Sequence, residues 1–113
     1  MFMNQRAAIQ NRLLTTSAAT AYTAPANTVA RLSSVTFTNQ GVVAATVTAH
    51  LVAAGSSAGN NNRVVNGYVI GPGESWTCPH LNHNLNPGDQ LMVQSDTSNA
   101  VSVYGSVIEM SRA

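Results

Sequence analysis

Cys78, His80 and His83 form the one group of metal-ligating residue types at close spacing in this 113-residue chain. A thiolate and two imidazoles suit Zn²⁺, but a structural zinc site needs a further ligand and usually draws its ligands from two separate loops. No second Cys/His pair exists, and His50 is the one spare histidine. The expectation is therefore no metal and no cofactor, with polar loop histidines beside a buried cysteine. General acid–base chemistry would need convergent carboxylates. Only Glu74, Asp89, Asp96 and Glu109 are available, and three of these lie in or beside turns, where such side chains commonly serve the backbone. Gly55-Ser56-Ser57-Ala58-Gly59 matches Gly-x-Ser-x-Gly in letters, but it lies in a run of small and polar residues rather than on the strand-to-helix turn that a nucleophile elbow needs, and no glycine-rich phosphate loop is present. No catalytic residue is assigned, and the chain is read as not an enzyme.

A sugar site would use aromatic and amide side chains, for which Trp76, Tyr22, Tyr68 and Tyr104 are the candidates. Trp76 alternates with Glu74 and Cys78, so it serves equally as a core anchor. The five arginines (Arg6, Arg12, Arg31, Arg63, Arg112) are scattered, leaving no basic stripe to neutralise a run of phosphates. Nucleic acid is not an expected partner.

Any active groups would have to be held by a chain of unusual composition. Charged residues make up 8% of it and lysine is absent, against about 25% charged in an average soluble protein. A net charge of +1 supplies little self-repulsion, which favours association. Cys78 has no partner for an intramolecular disulfide and reads as a small buried hydrophobe. Asn4, Gln5, Arg6, Gln10 and Asn11 leave no apolar core for a signal peptide, and no run is long enough to span a membrane. The chain is expected to be made in a cytoplasm and to avoid membranes.

Residues 43–51 give the clearest structural signal. Val43, Ala45, Val47, Ala49 and Leu51 alternate with Ala44, Thr46, Thr48 and His50, the period-two pattern of a strand with one buried face. In residues 28–39 the apolar phase changes between Leu32 and Val35, and a bulge at Ser33 and Ser34 would return both halves to one core. Asn39, Gln40 and Gly41 then supply a turn, so the two segments are expected to pair as a hairpin. Residues 53–62 read as an exposed loop, and residues 63–70 as a strand apolar on both faces. Gly71-Pro72-Gly73-Glu74 and Asn86-Pro87-Gly88-Asp89 fit type II turns.

Residues 1–18 fit a short helix or an extended arm anchored by Ile9, Leu13 and Leu14, preceding a β domain over 19–113. About seven or eight strands at sandwich spacing predict an all-β fold, an antiparallel two-sheet sandwich or jelly roll. The arm anchors Ile9, Leu13 and Leu14, with Val64, Tyr68 and Ile70 of the two-faced strand, are the expected interface residues.

The segments 22–28 (YTAPANT), 35–39 (VTFTN), 47–52 (VTAHLV), 69–75 (VIGPGES), 85–91 (LNPGDQL) and 101–106 (VSVYGS) together resemble a type of small β-sandwich found in tailed bacteriophage virions. The resemblance implies a non-enzymatic structural protein: a capsid decoration (cement) protein, or a small neck, tail or fibre component. It further implies a homo-oligomer, a trimer by preference, assembled in the host cytoplasm and carried in the virion against the major capsid protein or another virion protein. A glycan-binding host-recognition module is the rival class. The absence of a long helical or repetitive shaft puts decoration or a compact collar piece ahead of a fibre.

Overall fold

The computed structural model describes residues 2–111. It contains nine strands and no helix among the described residues: β1 (Phe2–Leu13), β2 (Ala19–Thr23), β3 (Thr28–Asn39), β4 (Ala45–Val52), β5 (Arg63–Ile70), β6 (Ser75–Thr77), β7 (Asn84–Leu85), β8 (Gln90–Ser95) and β9 (Val101–Ser111). One sheet runs β1-β9-β3-β6, with β7 also pairing β3; the other runs β2-β8-β4-β5. All recorded pairings are antiparallel. The two sheets close over Leu32, Val35, Phe37, Val47, Ala49, Leu91, Val93, Val101, Val103 and Val107. The expected two-sheet β-sandwich is the fold.

β3 bends where its apolar phase changes. Its register against β9 slips between Leu32 and Ser34, so Ala30 and Leu32 before the slip and Val35 and Phe37 after it all face the core. Both type II turns form, with Gly73 at φ 75° and Gly88 at φ 88°. The Glu74 N–H closes onto the Gly71 carbonyl, and the Asp89 N–H onto that of Asn86.

The N-terminal segment takes the extended alternative. β1 lies along β9 as an edge strand of the chain's own sheet, with register slips between Arg6 and Ile9 and between Ile9 and Arg12. Each slip inserts one extra residue, which breaks period two and accounts for the absence of a strand pattern in the sequence.

Three expectations are corrected. β3 and β4 do not pair as a hairpin; they belong to different sheets, and residues 40–44 carry the chain across the end of the sandwich. Asn39 builds this corner: its Nδ2 donates to the carbonyls of Val43 (2.8 Å) and Ile70 (3.0 Å), and its Oδ1 accepts the Gly41 N–H (2.8 Å). β4 begins at Ala45 rather than Val43, because the Val43 carbonyl is committed to Asn39 and its side chain is left exposed. The single alternation read along β5 is broken. A slip against β4 around Asn66 and Gly67, with Gly67 at φ 67°, turns both Val65 and Ile70 inward and leaves Val69 61% exposed.

Candidate assembly surface

The groups with chemical potential are spent on the fold. Cys78 is buried, and burial pushes its thiol pKa up. Its backbone N–H donates to the Val35 carbonyl. His80 and His83 are exposed, and no three His, Cys, Asp or Glu side chains converge in a metal-binding arrangement among the described residues. All four carboxylates are engaged. Glu74 accepts the Gly71 N–H, and Asp89 accepts those of Ala54 and Asn86. Asp96 accepts the Thr46 N–H, which holds its carboxyl below the ordinary range.

Glu109 carries the most elaborate contact. Continued alternation along β9 turns it inward at the end of the core, where Arg6 of β1 grips it through Nε (2.9 Å) and Nη2 (3.0 Å). The Tyr22 hydroxyl of β2 donates to the same carboxylate. This clip ties both sheets together at the edge strand. The Arg6 hydrogen bond holds the Glu109 carboxyl below its ordinary value against an opposing desolvation effect, while burial pushes the Tyr22 phenol up. A shallow depression of about 360 Å³ beside it is lined by Met3, Asn4, Thr28, Glu109 and Ser111.

His50 is 2% exposed, and its Nδ1 has no hydrogen-bond partner among the described residues. Desolvation, aided by Arg63, lowers its pKa below 6.5. Both His50 and Glu109 have depressed folded-state values, so each contributes stability above its unfolded pKa that is lost as pH falls through the folded one. Thermal melts should therefore show stability declining first below pH 6.5, where an unfolded histidine takes up a proton, and again below pH 4.5, where an unfolded glutamate does. His50→Leu should flatten the upper decline and Glu109→Gln the lower; a melting temperature independent of pH would contradict both assignments.

The sugar candidates are differently placed. Tyr22 is buried in the clip. Trp76 stacks face to face on Tyr68 with centroids 3.7 Å apart, and lies 6.2 Å from Phe37, closing the gap between β6 and β5. Tyr104 stands exposed on the outer face of the first sheet. Nearby on that face, Thr36 pairs with Thr77 and Thr38 with Ser75 through their hydroxyls.

Of the expected interface residues, Ile9, Leu14 and Ile70 are corrected to core positions: each is consumed in the chain's own interior and offers nothing to a partner. Val64 is partly buried against the same core, whereas Leu13 and Tyr68 remain exposed. Sequence reasoning missed Val42, which is 90% exposed at the inter-sheet corner, and the core anchor Leu81 between the two loop histidines.

The exposed large apolar side chains fall on two sides of the sandwich. Met3 and Leu13 lie at opposite ends of the β1 edge, Leu13 on the side of Tyr104 of β9; Val42, Val43, Tyr68 and Val69 gather around the β5 edge. These edges are opposite one another. β1 lies at one end of its sheet's strand order and contacts β2 of the other sheet, while β6 at the far end meets β5 through the Trp76–Tyr68 stack.

No family model and no curated protein matches the chain in sequence. The fold is shared with solved structures. One is a chain from Bacillus endospore appendages described as a novel family of disulfide-linked pili (12% identity, TM-score 0.60, covering 98% of this chain and 89% of that one). Another is a chain from the structure of infectious bursal disease virus, Gx strain (10% identity, TM-score 0.52, covering 96% of this chain and 32% of that one). At these identities the likeness concerns the fold.

Proposed function

We propose that this chain is a non-enzymatic building block of a bacteriophage particle, a decoration or cement protein that strengthens the shell through subunit contacts. The observation that carries the reading is a charge-poor sandwich whose four carboxylates all serve the fold, while apolar side chains stand exposed on two opposite edges. Such side chains gain by burial at about 25 cal/mol per Å², and they are placed where only another molecule can cover them. The fold similarity to chains from a pilus and a virus supports an assembly role. The near-complete overlap with the pilus chain favours a second reading, a subunit of a filament.

Cryo-electron microscopy of particles incubated with the chain should show repeated density of about 47 × 26 × 20 Å on the shell. Filaments formed by the purified chain alone would favour the second reading. A shell without added density and a chain that builds nothing by itself would overturn both.

A further inference from the structure

We infer that Asn66 is a site of self-modification, where the folded chain converts its own side-chain amide into an acid, and that the Thr48 hydroxyl sets the pace by holding the attacking nitrogen. The inference goes beyond the assembly reading and needs no partner.

Asn66 is the one asparagine of the chain that is followed by glycine. Gly67 has no Cβ to keep its backbone nitrogen from the Asn66 side chain, so a five-membered ring can close between them. Both residues are exposed, which lets hydroxide and water reach the pair and ammonia leave.

The strand is opened at this point. Val47 of β4 pairs with Tyr68 and Ala49 with Val65, so Asn66 and Gly67 together face Thr48. Two residues against one make a bulge, and Gly67 takes φ 67° in it. The Gly67 N–H donates to the Thr48 hydroxyl, 3.1 Å away. A side-chain hydroxyl is a weaker hold than a paired strand, since one rotation about the Thr48 Cα–Cβ bond withdraws it. Arg63 Nη1 lies 3.5 Å from Asn66 Oδ1, where its charge steadies the negative oxygen that forms when Cγ is attacked.

The chemistry balances with water as the one co-reactant. Hydroxide takes the Gly67 N–H proton, the nitrogen bonds to Asn66 Cγ, and the Cγ–Nδ2 bond breaks with ammonia leaving. Water then opens the ring at either of its two carbonyls. Opening at Cγ gives aspartate; opening at the main-chain carbonyl gives isoaspartate, in which the backbone runs through the side-chain carbon. Each event consumes one water and releases one ammonia, and nothing is oxidised or reduced. The new carboxylate stands beside Arg63 and cancels the net charge of +1. The isoaspartate form also lengthens β5 just before Tyr68, whose ring stacks on Trp76.

The test incubates the full folded chain in mildly alkaline heavy-oxygen water and maps its peptides by mass spectrometry. Residue 66 should exchange amide for labelled acid before any other asparagine, as a mixture of aspartate and isoaspartate, at a rate that rises with hydroxide. Thr48→Val keeps the branched shape and loses the acceptor; it should run about two- to tenfold faster, the factor carried by one ordinary hydrogen bond. Thr48→Ser should keep the wild-type rate. Asn66→Gln should stay an amide over the same period, because its ring would need a sixth member. If Thr48→Val loses its melting transition, Thr48→Ala repeats the comparison. A chain that keeps its Asn66 amide, aspartate without isoaspartate, or a rate unchanged by loss of the Thr48 hydroxyl would overturn the inference.

Discussion

Asn39→Ala should lower the unfolding free energy by about 3 kcal/mol or more, out of a total of about 5–15 for a domain of this kind. Asn39 is fully buried, and its side chain satisfies three backbone groups at the inter-sheet corner: the carbonyls of Val43 and Ile70 and the Gly41 N–H. Alanine removes all three partners at once: the Ile70 carbonyl is left buried without one, at about 1–3 kcal/mol, and the two part-buried bonds forfeit about 0.5–1.5 kcal/mol each. A urea titration should show a lower midpoint at unchanged slope. Asn39→Asp sharpens the test. It keeps the acceptor for Gly41 but turns a carboxylate toward two carbonyl oxygens, so at neutral pH it should be no better than alanine. A midpoint within experimental error of the wild type would show that the corner does not depend on this amide.

The same corner explains where sequence reasoning failed. An Asn-Gln-Gly turn satisfies the local chemistry of a hairpin and of a crossing between sheets equally well. What separates them is the burial of Asn39 and its bond to Ile70, 31 residues away, which no local pattern contains. β3 was legible down to its bulge because both halves carry apolar residues whose phase can be compared. β1 was not, since two slips within 12 residues erase any period. In β5 the apolar residues on both parities reflected a bulge at Gly67.

For the candidate surface, Leu13 and Tyr68 were found because they are large and apolar on segments short of polar alternation. Ile9, Leu14 and Ile70 have the same character and are core, since residue type alone cannot separate a buried side chain from an exposed one. The Glu109 clip carried a readable signal. Val103, Gly105, Val107 and Glu109 share one parity, so a carboxylate was due at the core's end and required a buried partner. Which arginine would answer it depends on β1 lying beside β9, a long-range contact absent from local pattern.

Gly105→Val should cost about 1–3 kcal/mol, the range for forcing extra carbon atoms into a packed site. Gly105 lies opposite Ile9, between the two slips of β1. A Cβ there would stand 2.9 Å from the Ser34 carbonyl oxygen and 3.1 Å from Ile9 Cδ1. The Ser34 oxygen belongs to the β3 bulge and cannot move without disturbing the sheet, so Ile9 must give way. Ile9 is the one deeply buried side chain of β1 among those described, and its displacement loosens the whole strand. Hydrogen exchange should therefore show β1 amides losing protection in the variant well before those of β3, β4 and β8. Uniform loss of protection across all strands would show instead that β1 is inseparable from the core, and an unchanged exchange pattern would show that the site has room to spare.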